Sequence, residues 1–458
     1  MKGVCLVITD PAIGITLVFA ALILVIVIST KKKVNGGVCA IFAAFLVGVV
    51  LCGKTVTSVI NYWPLTVMFI LISTTLFFNI ARENGTMEVL TQKLLYKFRK
   101  VTWAFPFIVF AINFIVAAGG AGSIAPQLLM SALIWPLSMA MGMNIIVLMV
   151  ASWGGATSGG GIFWSSEGVN RLAFYTEYGG PNGVSPDAVY LSVVEYSLVL
   201  FIALLSLTVI WYLVFRGWKV NKANVDEIFE DKSFDPIQKK TLILIGAVIL
   251  CILVPAVFKL LLPNPVTKFI AGVCDIQVVC VVAFLVAVGM KLCDEKKIIS
   301  TIPIGLILVV CGYSMLIKIA IDFNLPEIFA NVLLNFGLPL WILPATFLIF
   351  SCIISLFSNF AVIYPILMPL VPLVAMATGM NSMALFAGMA LGSCSTALSP
   401  FSMAGACQLS GCDDPDKVAK MTPRLFALAA ANAVILALVT CTGVLNFLPD
   451  PMAIYPMN

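Results

Sequence analysis

The fold is decided by a stretch that reads NFIVAAGGAGSIAPQLLM at 113–130 and GMNIIVLMVASWGGATSGGGIFWSSEG at 142–168. The chain makes this stretch twice, because 379–405 lies 237 positions further on and matches 142–168 without a gap at eight of 27 positions. Each copy places a glycine- and hydroxyl-rich break within a run hydrophobic enough for a membrane. Lipid tolerates unpaired backbone only where it is buried in protein or lines a cavity. Two matching breaks therefore predict the binding site of a transporter.

The composition predicts an all-α polytopic membrane protein. Of the 458 residues, 61% are hydrophobic and 10% are charged, whereas a soluble protein carries roughly a quarter charged residues. The chain has no histidine, which excludes histidine metal sites, histidine proton relays and Ser-His-Asp catalysis. Its 13 cysteines form no CxxC pair, so a disulfide framework is not expected. The net charge of +5 is explained by membrane topology and predicts no nucleic-acid partner.

Hydropathy divides the chain into two halves, 1–215 and 241–458, joined by a charged linker at 216–240. Each half is predicted to make five crossings, an odd number, so the two repeats are inverted in the membrane. Together they predict about ten spans and two re-entrant hairpins. Loops on one side hold 20 of the 26 Lys and Arg residues, which places that side in the cytoplasm and both termini outside the plasma membrane.

Two apolar runs of about 40 residues are too long for a single crossing, which needs ~20 residues. The first run, 102–141, is interrupted at 119–125, and the second, 339–378, at Ser358 and Asn359. A re-entrant hairpin fits each run, with two full crossings as the alternative for the first. Oxygen atoms at such tips suit a hard cation such as Na⁺. The alternative is that the small residues only let helices pack closely.

The breaks are predicted at 153–161 within the span 143–175 and at 392–400 within the span 381–411. Glycine tolerates unwound backbone, and proline ends the helical hydrogen-bond ladder. Each break would expose the N-terminus of a half-helix, which carries roughly half a positive charge. Two such termini aimed at one cavity would hold an anion, whereas the alternative is a pair of glycine-rich kinks.

The candidate site residues come from the tips and the breaks. The predicted substrate-binding residues are Ser123, Thr157, Ser158, Asn359, Ser395 and Thr396. The predicted Na⁺ ligands are Ser123, Gly155, Ser358, Asn359 and Gly392. Glu167 and Arg171 lie four residues apart just past the first break, which favours an ion pair on the outer surface. The alternative is that Arg171 reaches a substrate carboxylate, and Glu195, inside a span, is a candidate proton carrier.

The chain resembles the ion transporter superfamily of secondary carriers and, within it, the MatC-like dicarboxylate carriers. The resemblance rests on the two repeats, each with a hairpin and a broken span, and it implies a homodimer that works by an elevator movement. In the related divalent-anion carriers both tips have a Ser-Asn-Thr motif that binds Na⁺ and the substrate carboxylate. Here Ser358 and Asn359 keep two of its three residues, and the first tip keeps only Ser123.

These features predict a secondary transporter that moves a small dicarboxylate of the malonate, malate or succinate type with Na⁺ or H⁺. A dicarboxylate has two negative charges, so accumulation against an inside-negative membrane needs at least two co-transported cations. The alternative is a cation/proton antiporter of the same superfamily, which would need a buried Asp or Glu that neither predicted break contains. An enzyme is not expected, and no GxxxxGK[ST] motif for ATP is present. No cofactor is expected; the predicted partners are the anion, a coupling cation, the bilayer and a second copy.

Overall fold

The computed structural model describes residues 10–32, 34–98, 101–179, 183–220, 232–261, 264–302, 304–325, 328, 339–355, 360–400, 402–412 and 414–456. The regular elements within these ranges are all helices. The predicted tip residues Ser358 and Asn359 lie outside the described residues, as does 221–231 of the predicted linker.

The described residues of the first half form ten helices. They are α1 (Pro11–Lys32), α2 (Gly36–Leu51), α3 (Val56–Ile60), α4 (Leu65–Glu83), α5 (Thr86–Phe98), α6 (Phe105–Ala121), α7 (Ile124–Met141), α8 (Ile145–Gly160), α9 (Ser166–Gly179) and α10 (Pro186–Val214). In the second half, the helices of the described ranges are α11 (Pro236–Leu261), α12 (Pro265–Val273), α13 (Ile276–Gly289), α14 (Glu295–Ser300), α15 (Ile304–Asp322), α16 (Leu340–Ser355), α17 (Phe360–Leu367), α18 (Leu370–Thr378), α19 (Ser382–Ser395), α20 (Met403–Leu409), α21 (Pro415–Cys441) and α22 (Pro451–Ile454).

Five helices of the described chain are long and apolar enough to cross a membrane: α1, α4, α7, α10 and α21. The pair α12 and α13, bent by 49°, would add a sixth if the two helices form one broken span. Shorter apolar helices accompany them: α2, α6, α8, α16 and α19. The chain is therefore a helical, multi-pass membrane protein. The predicted ten crossings stay a prediction, because these shorter helices lack the ~20 residues of a full span.

The repeated Gly-Met-Asn sequence forms the same corner in both halves. Gly142 ends α7 with φ 62°, and Gly379 ends α18 with φ 68°, a left-handed conformation that glycine adopts without strain. Asn144 then caps α8 by accepting a hydrogen bond from a backbone N–H, and Asn381 caps α19 in the same way. Similar sequence thus reflects similar local structure at the entry to each broken span.

The glycines of the broken spans let helices approach closely. A Cβ at Gly155 would overlap the carbonyl oxygen of Phe110 in α6, and one at Gly392 would overlap the carbonyl of Leu348 in α16. The helical ladder continues past these glycines, to Gly160 in α8 and to Ser395 in α19. The predicted starts of the breaks, 153 and 392, are therefore wrong, because these glycines serve packing and the chain leaves the helix later.

Contacts between the halves occur in corresponding pairs. Helix α2 packs on α15, and α13 packs on α4. An offset of 237 residues places α2 over α13 and α4 over α15, so each contact is the counterpart of the other. The contact of α2 with α15 is therefore repeated, with the two halves exchanged, by the contact of α13 with α4. The second parts of the broken spans also contact the opposite half, because α9 packs on α17 and α20 packs on α7.

Contacts at the two ends of the molecule join residues that were predicted on the same side. Glu83 pairs with Lys297 on the predicted cytoplasmic side. Lys54 Nζ lies 2.7 Å from Asp322 Oδ2 on the predicted outer side. These pairs agree with the predicted alternation of the loops, while the absolute orientation stays a prediction.

Candidate functional site

The two breaks have the same hydrogen-bonded geometry. Between α8 and α9, the hydroxyl of Ser165 donates to the carbonyl of Ile162 at 2.7 Å and also to the carbonyl of Gly160. Between α19 and α20, the hydroxyl of Ser402 donates to the carbonyl of Ser399 at 2.8 Å and to that of Ala397. The offset of 237 superimposes each residue of the first set on its counterpart in the second. Each break is therefore an ordered turn that is held by the hydrogen bonds of one serine hydroxyl.

The first predicted tip lies against the first break. The chain turns at Gly120, with φ 105°, and at Gly122, with φ 67°, before α7 begins. Trp164, in the break, donates its indole N–H to the carbonyl of Ala118 at 3.1 Å. The contact between Trp164 and Ala118 joins the first tip to the first break. It brings Ser123 to the start of α9.

Glu167 occupies the donors of the first tip. The backbone N–H of Ser123 donates to Glu167 Oε1 at 2.8 Å, and the Ser123 hydroxyl donates to the same oxygen. The side chain of Glu167 is 12% exposed. Gly160 leaves room for it, since a Cβ there would lie 3.3 Å from the Glu167 carboxyl carbon and 3.1 Å from the Ser123 nitrogen.

Arg171, one helical turn further along α9, is buried at the interface between the halves. Its side chain is 1% exposed, and Nη2 lies 3.8 Å from Glu167 Oε2. Its Nε donates to the Tyr364 hydroxyl at 3.0 Å, and its guanidinium lies 4.9 Å from the centre of the Tyr196 ring. The interpretation of an outer-surface pair is therefore wrong. Sequence spacing detects the pair, but the inward face of α9 is set by packing against α10 and α17.

The second break also reaches this cluster. Cys394 lies next to Tyr196, the residue beneath the Arg171 guanidinium. Next in sequence, the Ser395 hydroxyl lies 2.9 Å from Cys352 Sγ, and the Thr396 hydroxyl donates to the Cys352 carbonyl at 3.1 Å. The second break therefore lies beside Arg171, with its hydroxyls engaged by α16.

The remaining predicted residues have different surroundings. Ser158 donates its hydroxyl to the carbonyl of Gly154 in its own helix at 2.7 Å. The Thr157 carbonyl accepts the N–H of Gly161 at 3.0 Å. Gly161 lies beside Arg171, so Thr157 is one helical turn away from that arginine. Gly155 and Gly392 are packing positions, while Ser358 and Asn359 lie outside the described residues.

A neutral counterpart of the Arg171 cluster lies at the other interface. The offset of 237 takes Arg171 to Gln408 and places Gln127 over Tyr364. Gln408 Nε2 donates to Gln127 Oε1 at 3.2 Å, as Arg171 Nε donates to Tyr364. Ala404 stands at the counterpart of Glu167. The equivalent helices thus carry charged side chains at the interface of α9 with α17 and uncharged side chains at the interface of α20 with α7.

Sequence reasoning underestimated Arg171 and missed Tyr196 and Tyr364. Ionisable groups within a membrane are costly and usually functional, and this principle could have selected Arg171. The spacing of Glu167 and Arg171 just past the break instead favours a pair at the outer surface. The two tyrosines carry no such signal, since aromatic residues are common in apolar helices.

Three comparisons with known proteins show which proteins this chain resembles. Residues 13–160 match the family model described as the N-terminus of the dicarboxylate carrier protein MatC. Among solved structures, the chain is similar to the YdaH transporter of Alcanivorax borkumensis, reported to have an unusual topology, with a TM-score of 0.58 and 17% identity over 85% of this chain and 87% of that chain. At that identity the likeness shows the fold alone. Comparison with curated protein sequences gives no match.

The fold is that of a helical, multi-pass membrane protein and is similar to the fold of the YdaH transporter. The resemblance to MatC-like dicarboxylate carriers is confirmed, and the matched segment runs from α1 through the first predicted hairpin to the end of α8.

Proposed function

We propose that this protein is a secondary active transporter that binds one carboxylate of a small dicarboxylate at Arg171. The observation that carries the proposal is the burial of Arg171 where the first break, the second break and α17 meet. A guanidinium is always charged and presents a fork of donors that matches a carboxylate. A buried ionisable group in a membrane transporter is by default part of the substrate or ion pathway.

The first tip complements Arg171. The N–H and hydroxyl of Ser123 already hold a carboxylate oxygen, that of Glu167, so these donors can hold a substrate carboxylate in the same way. The second carboxylate would meet uncharged groups, with Ser395 and Thr396 as the described candidates and Asn359 as a prediction. Thr157 and Ser158 keep their predicted role through their position beside the first break.

The coupling cation is part of the proposal. Na⁺ or H⁺ would offset the charge of the dianion, and we retain the predicted Na⁺ ligands as candidates: Ser123, Gly155, Ser358, Asn359 and Gly392. A glycine can offer a cation only its carbonyl oxygen, and these two carbonyls also accept hydrogen bonds from the hydroxyls of Ser158 and Ser395. Substitution at these glycines will therefore disturb packing as well as any cation.

The architecture that we infer is a pair of inverted repeats, 1–215 and 241–458, joined by the linker 216–240. Support comes from the corresponding corners at Gly142 and Gly379 and from the exchanged contacts between the halves. Each repeat would contain a re-entrant hairpin and a broken span. Elevator movement, a homodimer and outside termini in the plasma membrane follow from the resemblance and from the distribution of Lys and Arg.

One observation favours the cation/proton antiporter as the second candidate. That function needs a buried carboxylate near the breaks, and Glu167 is nearly buried against the first tip. The arginine four residues away distinguishes the two functions, because a fixed positive charge beside the carboxylate favours an anionic substrate.

Uptake by proteoliposomes tests the proposal. Purified protein should take up labelled malonate, malate or succinate when a Na⁺ or pH gradient is imposed. Arg171→Gln should weaken this uptake at least tenfold, whereas Lys318→Met, which removes a cation paired with Glu177 elsewhere at the interface, should retain it. If all three anions are ignored while a cation gradient drives proton flux, the antiporter is correct and the proposal is wrong.

A further inference from the structure

We propose, on the basis of the proposed function, that four buried polar side chains at the interface of α20 with α7 form a binding site for the coupling cation, Na⁺. This polar cluster consists of Asn113 of α6, Gln127 of α7, Ser152 of α8 and Gln408 of α20. All four side chains are fully buried. None of them belongs to the predicted Na⁺ ligands, which come from the tips and the breaks.

Hydrogen bonds to backbone carbonyls fix the orientation of the amides in the polar cluster. The amide nitrogen of Asn113 donates to the Ser152 carbonyl at 2.9 Å, and that of Gln127 donates to the Ser123 carbonyl at 2.9 Å. A carbonyl oxygen only accepts hydrogen bonds, so neither amide can be turned around. Gln127 therefore presents its oxygen to Gln408, and the Gln408 nitrogen donates to it at 3.2 Å.

Two oxygen atoms of the polar cluster have no hydrogen-bond donor within the described part of the chain, Asn113 Oδ1 and Gln408 Oε1. The two amides are neighbours, because the nitrogen of each also donates to the Ser152 hydroxyl oxygen, at 2.9 and 3.3 Å. Buried polar groups in proteins are nearly always paired, and an unpaired one costs free energy. The polar cluster therefore offers two acceptor oxygens to a cation or to a donor.

The chemistry of the polar cluster favours a singly charged cation. Carbonyl oxygens replace the hydration shell of ions in channels and hold Na⁺ in transporters. Gln127 Oε1 can add a third oxygen through its second lone pair. Divalent cations are usually held by carboxylates, whereas these side chains are uncharged. A substrate carboxylate would be repelled by the same oxygens, so the site binds one of the cations that accumulation of a dicarboxylate requires.

The corresponding positions at the interface of α9 with α17 do not form a second cluster of this kind. The offset of 237 takes Asn113 to Phe350 and Ser152 to Met389, and both counterparts are apolar. At that interface Arg171 itself supplies a positive charge. Polar side chains inside a membrane are costly and are usually functional. The anion thus binds at the interface of α9 with α17, and the cation binds at the interface of α20 with α7.

Ser123 connects the polar cluster with Arg171. Its carbonyl accepts the Gln127 amide, while its N–H and hydroxyl donate to Glu167, which lies beside Arg171. A cation that draws the amide oxygens toward itself shifts Gln127 and, through it, the tip at Ser123. A substrate carboxylate that takes the Ser123 donors acts on the same chain of hydrogen bonds from its other end. Binding at the two sites should therefore be coupled, by the same factor in both directions.

Binding of radioactive Na⁺ to the purified protein, without any dicarboxylate, tests the site directly. Asn113→Leu and Gln408→Met each remove one of the two oxygens with little change in volume, and each variant should bind one Na⁺ fewer than the wild type. Asn432→Leu is the matched control, because Asn432 is also a fully buried amide in an apolar helix. Its oxygen already accepts the indole N–H of Trp211 at 2.8 Å, so this variant should bind Na⁺ like the wild type.

The coupling of Na⁺ to the dicarboxylate is the second measurement. When Na⁺ replaces choline at constant ionic strength, the affinity of the wild-type protein for labelled malonate should rise by about 5- to 150-fold, the usual range for coupled sites. Asn432→Leu should show the same rise. Asn113→Leu and Gln408→Met should lose most of it and should bind malonate without Na⁺ as the wild type does.

The contrary outcomes are distinct. A folded wild-type protein that binds no Na⁺ overturns the proposal, and a water molecule, which can also donate to two acceptor oxygens, is then the occupant of the polar cluster. Full Na⁺ binding in both Asn113→Leu and Gln408→Met overturns it as well and places the ion elsewhere.

Folding is checked by elution from size-exclusion chromatography. If the larger substitutions prevent folding, Ser152→Ala, which removes only the hydroxyl that both amides contact, should still weaken Na⁺ binding, and unchanged binding in that variant overturns the proposal. The proposed function fails separately, if the wild-type protein binds Na⁺ at the polar cluster but neither binds nor transports any of the dicarboxylates.

Discussion

The two interfaces between the halves have corresponding backbones and different charges. At one, Arg171 of α9 binds Tyr364 of α17, and at the other, Gln408 of α20 binds Gln127 of α7. The packing that holds the fold is repeated, whereas the charged pair of Arg171 and Glu167 is present once. The difference teaches that a repeated scaffold can carry an asymmetric site. A charged anchor for an anion is then available at one of the two interfaces only.

Arg171→Gln replaces the arginine with the residue type of its counterpart, Gln408. This change should have the largest effect on dicarboxylate affinity. Loss of a charge-assisted hydrogen bond costs roughly 1.5–3 kcal/mol, which corresponds to about a 10- to 150-fold weaker affinity for the dicarboxylate. Uptake in proteoliposomes as a function of substrate concentration measures it. Lys318→Met, which removes a cation paired with Glu177, is the control, and an equal loss in both variants would show that the position of the charge has no role in binding.

Gly155→Ala and Gly392→Ala test the repeated packing and should behave alike. Each new methyl group would overlap a backbone carbonyl, that of Phe110 or that of Leu348, so overpacking should cost about 1–3 kcal/mol of stability. Thermal unfolding of the purified proteins in detergent measures the loss. In Gly246→Ala, where no atom lies within 4 Å of the new methyl group, stability should hold or rise by up to ~1 kcal/mol. Cation dependence lost without loss of stability would instead assign these glycines to the predicted Na⁺ sites.

Removal of a hydroxyl should weaken substrate affinity modestly, and by different amounts in the two broken spans. Thr396 donates to Cys352 of a neighbouring helix, whereas Ser158 donates within its own helix. A neutral hydrogen bond contributes about 0.5–1.5 kcal/mol, so Thr396→Ala should weaken substrate affinity about two- to tenfold and Ser158→Ala less. Thr74→Ala, which removes a hydroxyl bound within α4, serves as the control. Equal effects in all three variants would mean that the breaks are ordinary kinks.

The peripheral ion pair of Lys54 and Asp322 should matter least. Both side chains are partly exposed, and water screens such pairs to about 0–1 kcal/mol. Lys54→Met should therefore shift the unfolding temperature slightly and leave dicarboxylate uptake unchanged. A loss of uptake as large as that of Arg171→Gln would show that charge location does not distinguish the two pairs.

The fold class and the repeated elements could be predicted because hydropathy and the Gly-Met-Asn corner leave local signatures. The position of the breaks could not, because a glycine that permits close packing looks in sequence like a glycine that ends a helix. Gly155 continues a helix, and Gly161 begins the break. The spacing of Glu167 and Arg171 predicted their pairing, but their burial depends on how α9 packs against α17, nearly 200 residues away. The roles of Ser358 and Asn359 stay predictions.

The central claim is that a dicarboxylate binds at Arg171, and equilibrium binding tests it most directly. Labelled malonate, malate and succinate should bind the purified wild-type protein and Lys318→Met with similar affinity, and Arg171→Gln at least tenfold more weakly. The variant must elute from size-exclusion chromatography like the wild type, so that unfolding does not explain its loss. Undiminished binding to a folded Arg171→Gln protein would contradict the claim and place the site elsewhere.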